Sequence, residues 1–525
     1  MSQQTSQKEG DSSATPQNDK REVRNDKGEE SHQEKESILI QERKKKLERI
    51  RELGYNPYPY EYKRTHTIEQ IISDKDTLVN AKDEVSIAGR LFAVRSHGKS
   101  TFADLYDAGK KIQLYFKKDI LNEKYELAKL LDIGDIIGAR GTLTLTHTGE
   151  LTLVTNDLDM LSKSVKPVPV GKIEFKEGER HAHVELSDTE IRYRQRSLDL
   201  LLNPTSFEVF KTRTKILRLI RRFMEDKGFI EVETPTLQTI YGGAAARPFH
   251  THLNALSMDM FLRISPEIPL KKIIMGGFDK IFEIAKNFRN EGLDKSHNPE
   301  FTMMEWYEAY TDYNYQMKQY EELVCYLVKE LHGTLTIDYL GTKLDFTPPW
   351  KRLTMLNGLK EHANIDVNAL KDDEIKALLE KHNVTLKGDY KWGKAVNALF
   401  ETLVMDKLIQ PTFIIDYPLE TSPLTKIHRN DKRLIERFEV SIYGMEVGNA
   451  YSELNDPQEQ LERLQAQLKE KEDEAHPMDA DFVHAMECGM PPCGGVGLGI
   501  DRIVMLLTNS PSIRDVILFP IMKPV

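Results

Sequence analysis

The amino-acid sequence predicts an α+β protein in which a small five-stranded β-barrel precedes a larger domain, built on a mainly antiparallel sheet flanked by helices. Between Val85 and about Leu161, short runs alternate apolar and polar residues, which is typical of strands with one buried face. Beyond His183, long amphipathic helical stretches mix with strands, and neither GxGxxG nor GxxxxGK[ST] occurs. A doubly wound nucleotide-binding sheet is therefore disfavoured.

Length and composition indicate a globular protein with more than one core. The 525 residues, 39% hydrophobic and 30% charged, suit two or three domains. We see no apolar run that could span a membrane and expect a cytoplasmic location. The net charge of −10 does not exclude nucleic acid as a partner, because binding needs only a local basic face. The three cysteines form no CxxC pair, so we expect buried reduced thiols.

The first 75 residues divide into two parts. Residues 1–37 are polar with few apolar anchors, which predicts a disordered tail that could bind further protein partners. Residues 38–75 are predicted to form a basic helix and a connection, because Leu47, Ile50 and Leu53 follow helical spacing and Gly54 suits a C-terminal cap. The basic side chains suit either intrahelical ion pairs or contacts to nucleic-acid phosphates.

Residues 76–163 are predicted to form the barrel. Five strand-like runs in about 75 residues fit a barrel of the oligonucleotide-binding (OB) kind, with a small sandwich as the alternative. Residues 164–184, with KPVPVGKIEFKEG, read as a linker to a domain covering 185–525.

Three stretches of the larger domain follow one another in a distinctive order. They are GFIEVETPTL from Gly228, FEIAKNFRNEGLDKSHNPEFTMMEWY at 282–307 and GGVGLGIDRIVML at 494–506. In this order they resemble motifs 1, 2 and 3 of class II aminoacyl-tRNA synthetases. The preceding barrel resembles subclass IIb, which contains the lysine, aspartate and asparagine enzymes. GGAAARPF, HNPEFTMMEWY, NAYSELNDP and VILFPIMKP are similar to the lysine enzymes in particular.

The resemblance implies lysine–tRNA ligase activity: ATP and L-lysine give lysyl-adenylate and pyrophosphate, and lysine passes to the 3′ end of tRNA-Lys. Such chemistry needs charge neutralisation and alignment more than a side-chain acid or base. By resemblance Arg289 holds the α-phosphate and the substrate carboxylate, Arg502 holds the γ-phosphate, and both are catalytic. Gly497 and Gly499 let the backbone approach the nucleotide. The implied ATP-binding residues are Arg289, Glu291, His297, Asn298, Phe301, Glu446, Val447, Gly499 and Arg502.

Two carboxylates match the magnesium ligands of the family. ATP is used with Mg²⁺, which takes carboxylate and phosphate oxygens. The matching residues are Glu439 in ERFEV and Glu446 in YGMEV. The stretch reads as paired strands around Gly444, so the two would meet across a turn, which sequence alone does not establish.

The charge of the predicted amino-acid pocket favours lysine over aspartate. An ammonium buried without an anion costs several kcal/mol, and the matching positions contain three glutamates and no Lys or Arg. By resemblance Glu305 and Glu453 reach toward the two amino groups of the substrate. Pro269 departs from the family pattern and could shift the start of the following helix. The implied lysine-binding residues are Gly243, Glu267, Glu305, Tyr307, Asn449, Tyr451 and Glu453.

In the barrel, Arg90, Phe102 and Gln113 match subclass IIb positions that stack on and hydrogen-bond the central U of the anticodon. Stacking with edge contacts is how single-stranded RNA is read. The alternative for Phe102 is plain barrel core.

Motif 1 implies a homodimer. Residues 205–235 provide its helix, strand and proline, and the apolar positions Ile216, Leu219, Ile220 and Phe223 exceed what one face toward a monomer core would require.

Other functions remain as alternatives: a synthetase for aspartate or asparagine, a paralogue that ligates lysine to protein, or a non-catalytic paralogue. The three glutamates argue against the first alternative and the barrel against the second. The presence of Arg289, Arg502, Glu439 and Glu446 argues against the third.

Overall fold

A computed structural model describes residues 38–169, 173–176, 179–182, 186–386, 388–469 and 478–524. The predicted tail of residues 1–37 lies outside these ranges. The chain divides into two compact units, Met1–Ser187 and Asp188–Val525. The expected linker at 164–184 includes a two-stranded hairpin.

The first unit contains five α-helices and seven strands within the described ranges. In chain order they are α1 (38–52), α2 (Ile68–Ser73), α3 (Lys75–Ala81), β1 (Glu84–His97), β2 (Ser100–Asp107), β3 (Lys110–Lys117), α4 (Lys118–Leu121), α5 (Tyr125–Ala128), β4 (Ile136–Leu145), β5 (Leu151–Ser162), β6 (Ile173–Lys176) and β7 (Glu179–Ala182).

Strands β1 to β5 form a closed barrel in the order β1-β2-β3-β5-β4. The sheet closes because β1 pairs with both β2 and β4, and only β3 and β5 run parallel. Alternate residues such as Ile112, Leu114 and Phe116 point into the core, as the period of two predicted. The barrel prediction is confirmed, and the sandwich alternative is wrong.

Helix α1 belongs structurally to the barrel unit. Ile50 is fully buried in the barrel core, and Gly54 adopts a φ of 83° just after the helix, as expected of a C-terminal cap. Arg43 Nη1 donates to the Ser164 carbonyl at 2.9 Å, and Lys46 pairs with Asp132 at 2.6 Å. Part of the helix's positive charge therefore holds the unit together.

The second unit contains twelve α-helices and thirteen strands within the described ranges. They are α6 (Thr189–Arg194), α7 (Arg196–Leu202), α8 (Pro204–Asp226), β8 (Ile230–Glu231), β9 (Leu237–Gln238), β10 (Phe249–Leu253), β11 (Met258–Leu262), α9 (Glu267–Met275), β12 (Lys280–Phe288), β13 (Glu300–Ala309), α10 (Tyr313–His332), β14 (Thr336–Tyr339), β15 (Thr342–Asp345), β16 (Lys351–Thr354), α11 (Met355–Ala363), α12 (Asp372–Lys381), α13 (Trp392–Leu403), β17 (Thr412–Pro418), β18 (Leu434–Ile442), β19 (Met445–Ser452), α14 (Pro457–Lys469), α15 (Ala480–Glu487), β20 (Cys493–Leu498), α16 (Ile500–Leu507) and α17 (Ile513–Val516).

An eight-stranded sheet organises this unit, in the order β16-β17-β18-β19-β20-β13-β12-β8. Its central pairs are antiparallel, and parallel pairs occur only at its two edges. Helices α8, α10 and α16 supply much of the apolar core against the sheet. This matches the predicted antiparallel sheet flanked by helices.

Helix α8 corrects one argument from the sequence. Ile216 and Ile220 are fully buried, Leu219 is 8% exposed, and all three pack in the core of their own unit, with Phe223 half-buried against it. The apolar residues of α8 are thus used within one chain, and the inference that they exceed its needs is wrong.

The three cysteines carry free thiols, but Cys488 is exposed while Cys493 is buried and Cys325 is half-buried. The expectation of buried thiols is therefore wrong for Cys488. In the described part of the chain, none of the helices combines the length and apolar character needed to cross a membrane.

Candidate active site

Four neighbouring strands place the predicted residues on one side of the sheet. Strands β12 and β13 pair from Lys280 opposite Glu308 to Phe288 opposite Glu300, which leaves residues 289–299 as the loop between them. Strand β20 lies between β13 and β19, and α16 follows it with Gly499 as the N-cap. Segments far apart in sequence thus meet at one surface.

Pairing across β13, β20 and β19 produces two rows of side chains. Glu305 and Asn449 both lie opposite Gly497, and Tyr307 and Tyr451 both lie opposite Gly495. A Cβ at Gly495 would stand 2.0 Å from an oxygen of Glu453 and 2.4 Å from the Tyr307 ring. A side chain at Gly495 is therefore excluded, and the glycines of GGVGLG keep the space between the rows open.

The first cavity, which we call the arginine cavity, brings together every predicted ATP-binding residue. Its wall includes Arg289, Glu291, His297, Asn298, Phe301, Glu446, Val447, Gly499 and Arg502.

Arg289 lies at the start of the β12–β13 loop with its guanidinium 5.1 Å from the centre of the Phe301 ring. Its Nε donates to the Ile264 carbonyl at 3.4 Å. Burial lowers the pKa of Arg289, while the nearby Glu446 raises it. Among the residues that the structure describes, its contacts are a carbonyl and a ring rather than a carboxylate, so the guanidinium retains donors for an anion.

Arg502 is oriented by two neighbours of the arginine cavity. Its Nη1 donates to the Glu446 carbonyl at 2.5 Å, and its Nη2 lies 3.1 Å from His297 Nε2. His297 Nδ1 lies 2.8 Å from an oxygen of Asp294. A proton on Nδ1 would leave Nε2 free to accept from Arg502, so a single tautomer satisfies both contacts.

The second cavity, which we call the glutamate cavity, contains most of the predicted lysine-binding residues. Its wall includes Gly243, Glu267, Glu305, Tyr307, Asn449 and Tyr451, together with Arg289. Glu453 lies behind Gly495 and is 1% exposed.

Glu305 is the central anion of the glutamate cavity. Its oxygens accept from Ser265 Oγ at 2.7 Å and from the Tyr307 hydroxyl at 3.0 Å. Burial and the charge of Glu267 raise the pKa of Glu305 to about 8. Arg289 lowers this pKa in part, but within the described residues Glu305 has hydroxyl donors and no ion-pair partner, so it is suited to a cationic ligand.

The glutamates have a basic neighbour that the sequence argument missed. Lys271 Nζ lies 2.5 Å from an oxygen of Glu267 and 2.5 Å from an oxygen of Glu453. The matching positions themselves contain no lysine, but Lys271 lies just outside them and was not anticipated. The spacing of four between Glu267 and Lys271 on a helix could have indicated their ion pair. The contact with Glu453 could not be foreseen in this way, because Glu453 is far away in sequence.

Two further features shape the glutamate cavity. Pro269 lies in the first turn of α9, where the N–H that proline lacks has no helical partner, and α9 begins at Glu267, so proline is compatible with this start. Gly243 has a φ of 86°, and a Cβ there would stand 2.7 Å from Glu267 Cβ. Glycine at 243 therefore permits the close approach of its loop to α9.

Glu439 and Glu446 approach each other across the predicted hairpin. They lie on β18 and β19, joined by Tyr443 and Gly444 at φ values of 55° and 71°, and both line one cavity. Burial and the charge of Glu446 raise the pKa of Glu439 to about 7, although Arg437 lies 2.5 Å from it. Two carboxylates that repel each other suit a divalent cation, because the cation would reduce their repulsion.

The predicted RNA-reading residues of the barrel unit lie on its outer face. Phe102 is half-buried between the buried Thr101 and Ala103, and its ring stacks on Tyr115 at 4.7 Å. This orientation does not fit the core interpretation of Phe102. The other two positions are also held in place: Arg90 Nη1 donates to the Gly134 carbonyl at 2.8 Å, and Gln113 Oε1 accepts from Thr152 at 2.9 Å.

Comparison with known proteins agrees with this architecture. The family described as "tRNA synthetases class II (D, K and N)" matches residues 188–523, and "OB-fold nucleic acid binding domain" matches residues 85–161. The chain therefore belongs to the class II tRNA synthetases of the D, K and N group.

Within this group, the chain is similar over most of its length to individual lysine–tRNA ligases. A lysine–tRNA ligase of Clostridium novyi is 49% identical over 514 residues, covering 96% of this chain and 98% of the relative. A lysine–tRNA ligase of Pelotomaculum thermopropionicum is 49% identical over 493 residues, covering 93% of this chain and 95% of the relative.

Proposed function

We propose that this chain is a lysine–tRNA ligase that activates L-lysine in the glutamate cavity with ATP held in the arginine cavity. The observation that carries the proposal is the position of Arg289, which lies in the wall of both cavities. One guanidinium can therefore face the substrate carboxylate and the α-phosphate together. The similarity to lysine–tRNA ligases over nearly the whole chain supports lysine as the amino acid.

The residues of this chain act mainly by holding charge. The side-chain ammonium of lysine faces Glu305, and the rings of Tyr307 and Tyr451 flank its aliphatic stem. The lysine carboxylate attacks the α-phosphorus, a bond forms between them, and pyrophosphate leaves with the bridging oxygen. Arg289 neutralises the charge at the α-phosphate and Arg502 that at the γ-phosphate, which leaves proton transfer outside this step.

Glu439 and Glu446 are the carboxylates that we propose hold Mg²⁺ beside the triphosphate. Their shared cavity and mutual repulsion support this assignment. When bound, the ion would neutralise phosphate charge and orient the leaving group.

Transfer of lysine requires tRNA, and we propose that the outer face of the barrel binds the anticodon through Arg90, Phe102 and Gln113. We also propose a homodimer. Exposed apolar side chains support it, since Ile230, Leu237 and Ile240 after α8 are 53%, 45% and 40% exposed, and such residues beyond a motif 1 helix suit an interface.

Exchange of labelled pyrophosphate into ATP, measured separately with lysine, aspartate and asparagine, tests the amino-acid assignment. Lysine alone should support exchange, and lysine should then be esterified to tRNA-Lys. Exchange driven by aspartate or asparagine would refute the assignment. Sedimentation at micromolar concentration tests the dimer, and a monomeric mass would count against it.

A further inference from the structure

Lys271 is a buried ammonium placed between two carboxylates behind the wall of the glutamate cavity. It is 1% exposed and contacts Glu267 from the preceding turn of α9 and Glu453 from the segment after β19. Glu267 also lies 3.5 Å from the Tyr451 hydroxyl. The Lys271 ammonium thus connects α9 to the segment that follows β19.

Stability alone does not account for a lysine here. Removing an ammonium from water costs several kcal/mol, and an apolar side chain together with neutral partners is often as stable as a buried ion pair. Burial also raises the pKa of Glu453 to about 8 despite its contact with Lys271. The contact with Lys271 therefore offsets only part of the cost of ionising Glu453.

Within the group formed by Lys271 and the three glutamates, the charges match those of free lysine. Glu267, Glu305 and Glu453 carry three negative charges when ionised, and Lys271 returns one positive charge, which leaves two. Lysine brings two ammonium groups, while its carboxylate has Arg289. An amino acid with one ammonium would leave a buried carboxylate unmatched.

We propose that Lys271 is a positioning and specificity-determining residue: its ammonium fixes Glu267 and Glu453 and leaves Glu305 as the carboxylate available to the substrate side chain. This inference rests on the proposed function. Lys271 acts through the glutamates and does not touch the reacting atoms. Its loss should therefore change the use of lysine without a matching change in the use of ATP.

The test is pyrophosphate exchange by Lys271→Gln, which retains a hydrogen-bond donor and removes the charge. We expect the KM for lysine to rise about tenfold or more, while kcat and the KM for ATP change by less than about threefold. Lys272→Gln is the matched control, because Lys272 is the next residue of α9 and pairs with Asp481 at 2.6 Å. The control should leave the lysine KM unchanged.

A second variant and a binding measurement separate positioning from folding. Lys271→Gln/Glu453→Gln removes one charge of each sign, so it should fold even where the single variant does not. Its lysine KM should exceed that of Glu453→Gln alone, because loss of Lys271 also releases Glu267. Lysine should raise the melting temperature of either variant only at about tenfold higher concentration than in the parent protein.

Several outcomes would overturn the assignment. They are an unchanged lysine KM in Lys271→Gln, parallel loss of lysine and ATP use with a falling melting temperature, and full recovery in the double variant. Failure of the parent protein to exchange with lysine would instead overturn the proposed function itself.

Discussion

Replacing Glu305 by glutamine should make the protein more stable while nearly abolishing its use of lysine. Glutamine has the same size, and its amide can still meet the hydroxyls of Ser265 and Tyr307, which lie 2.7 Å and 3.0 Å from the carboxylate. What the variant loses is the ability of this buried group to ionise. The two effects have opposite signs, which distinguishes a binding residue from a structural one.

The size of the stability effect follows from the pKa of Glu305, which burial and Glu267 raise from 4.5 to about 8. At pH 7 the folded state keeps this group largely protonated while the unfolded state ionises it, and this difference lowers the free energy of unfolding by about 3 kcal/mol. Because the folded-state pKa is the higher one, stability decreases as pH rises from the unfolded value to the folded value. The gain in Glu305→Gln should thus shrink to about 1 kcal/mol at pH 5.

The size of the binding effect follows from the ammonium that the charge would face. Removing one partner of a buried, hydrogen-bonded charge pair costs about 2–5 kcal/mol. For lysine activation this is a loss of roughly 30-fold to several thousand-fold in kcat/KM. The KM for ATP should change much less, because the nucleotide residues lie in the arginine cavity.

Urea unfolding from pH 5 to 8 and pyrophosphate exchange measure the two effects on the same preparations. Glu308→Gln is the matched control: Glu308 is buried on the same strand but pairs with Lys280 at 2.7 Å, so its loss should lower stability and spare the lysine KM. A destabilised Glu305→Gln that loses lysine and ATP use together would show that Glu305 is structural and would refute the reasoning.

Three further predictions concern other parts of the molecule. Phe102→Ala should lose stacking worth about 1–3 kcal/mol and lower tRNA charging by roughly one to two orders of magnitude, with lysyl-adenylate formation near normal; an equal loss of both would make Phe102 a folding residue. Arg289→Ala should impair kcat/KM for both lysine and ATP in pyrophosphate exchange, and a defect confined to one substrate would contradict its place between the cavities. Lys44→Ala/Lys45→Ala should reduce the slope of log tRNA affinity against log salt, and an unchanged slope would leave these exposed lysines as solvated side chains.

Features fixed by local spacing were predictable from the sequence. The period of two placed all five barrel strands, and the glycine and turn pattern placed the β18–β19 hairpin around Gly444. Gly497 and Gly499 were expected to allow close approach of the backbone to the nucleotide, and both line the arginine cavity. These features depend on neighbours within a few residues, so the pattern contains the necessary information.

Features that depend on distant partners were not predictable. Lys271 acquires its role only because the end of β19 brings Glu453 beside α9, and no local pattern records that contact. The apolar residues of α8 would suit either a monomer core or a subunit interface. In the folded chain they pack in the core beside the sheet, which the sequence pattern could not distinguish. Some basic residues of α1 pair within the barrel unit, as Lys46 does with Asp132, and others face solvent. Tertiary packing determines which do so, and the sequence pattern does not show it.

The separation of charge between the two cavities explains how one site can handle substrates of opposite character. Triphosphate and dication would attract each other in solution without the alignment that the reaction needs. In the proposed function the glutamates would hold the ammonium end of lysine and the arginines would hold the phosphates, so the two substrates would meet at the boundary between the cavities. Among the residues that the structure describes, Arg289 is the one arginine that lines both cavities, and its charge suits both a carboxylate and a phosphate. The proposed reaction would therefore take place beside Arg289, and the side chain of lysine would be selected by the glutamates, away from the bond that forms.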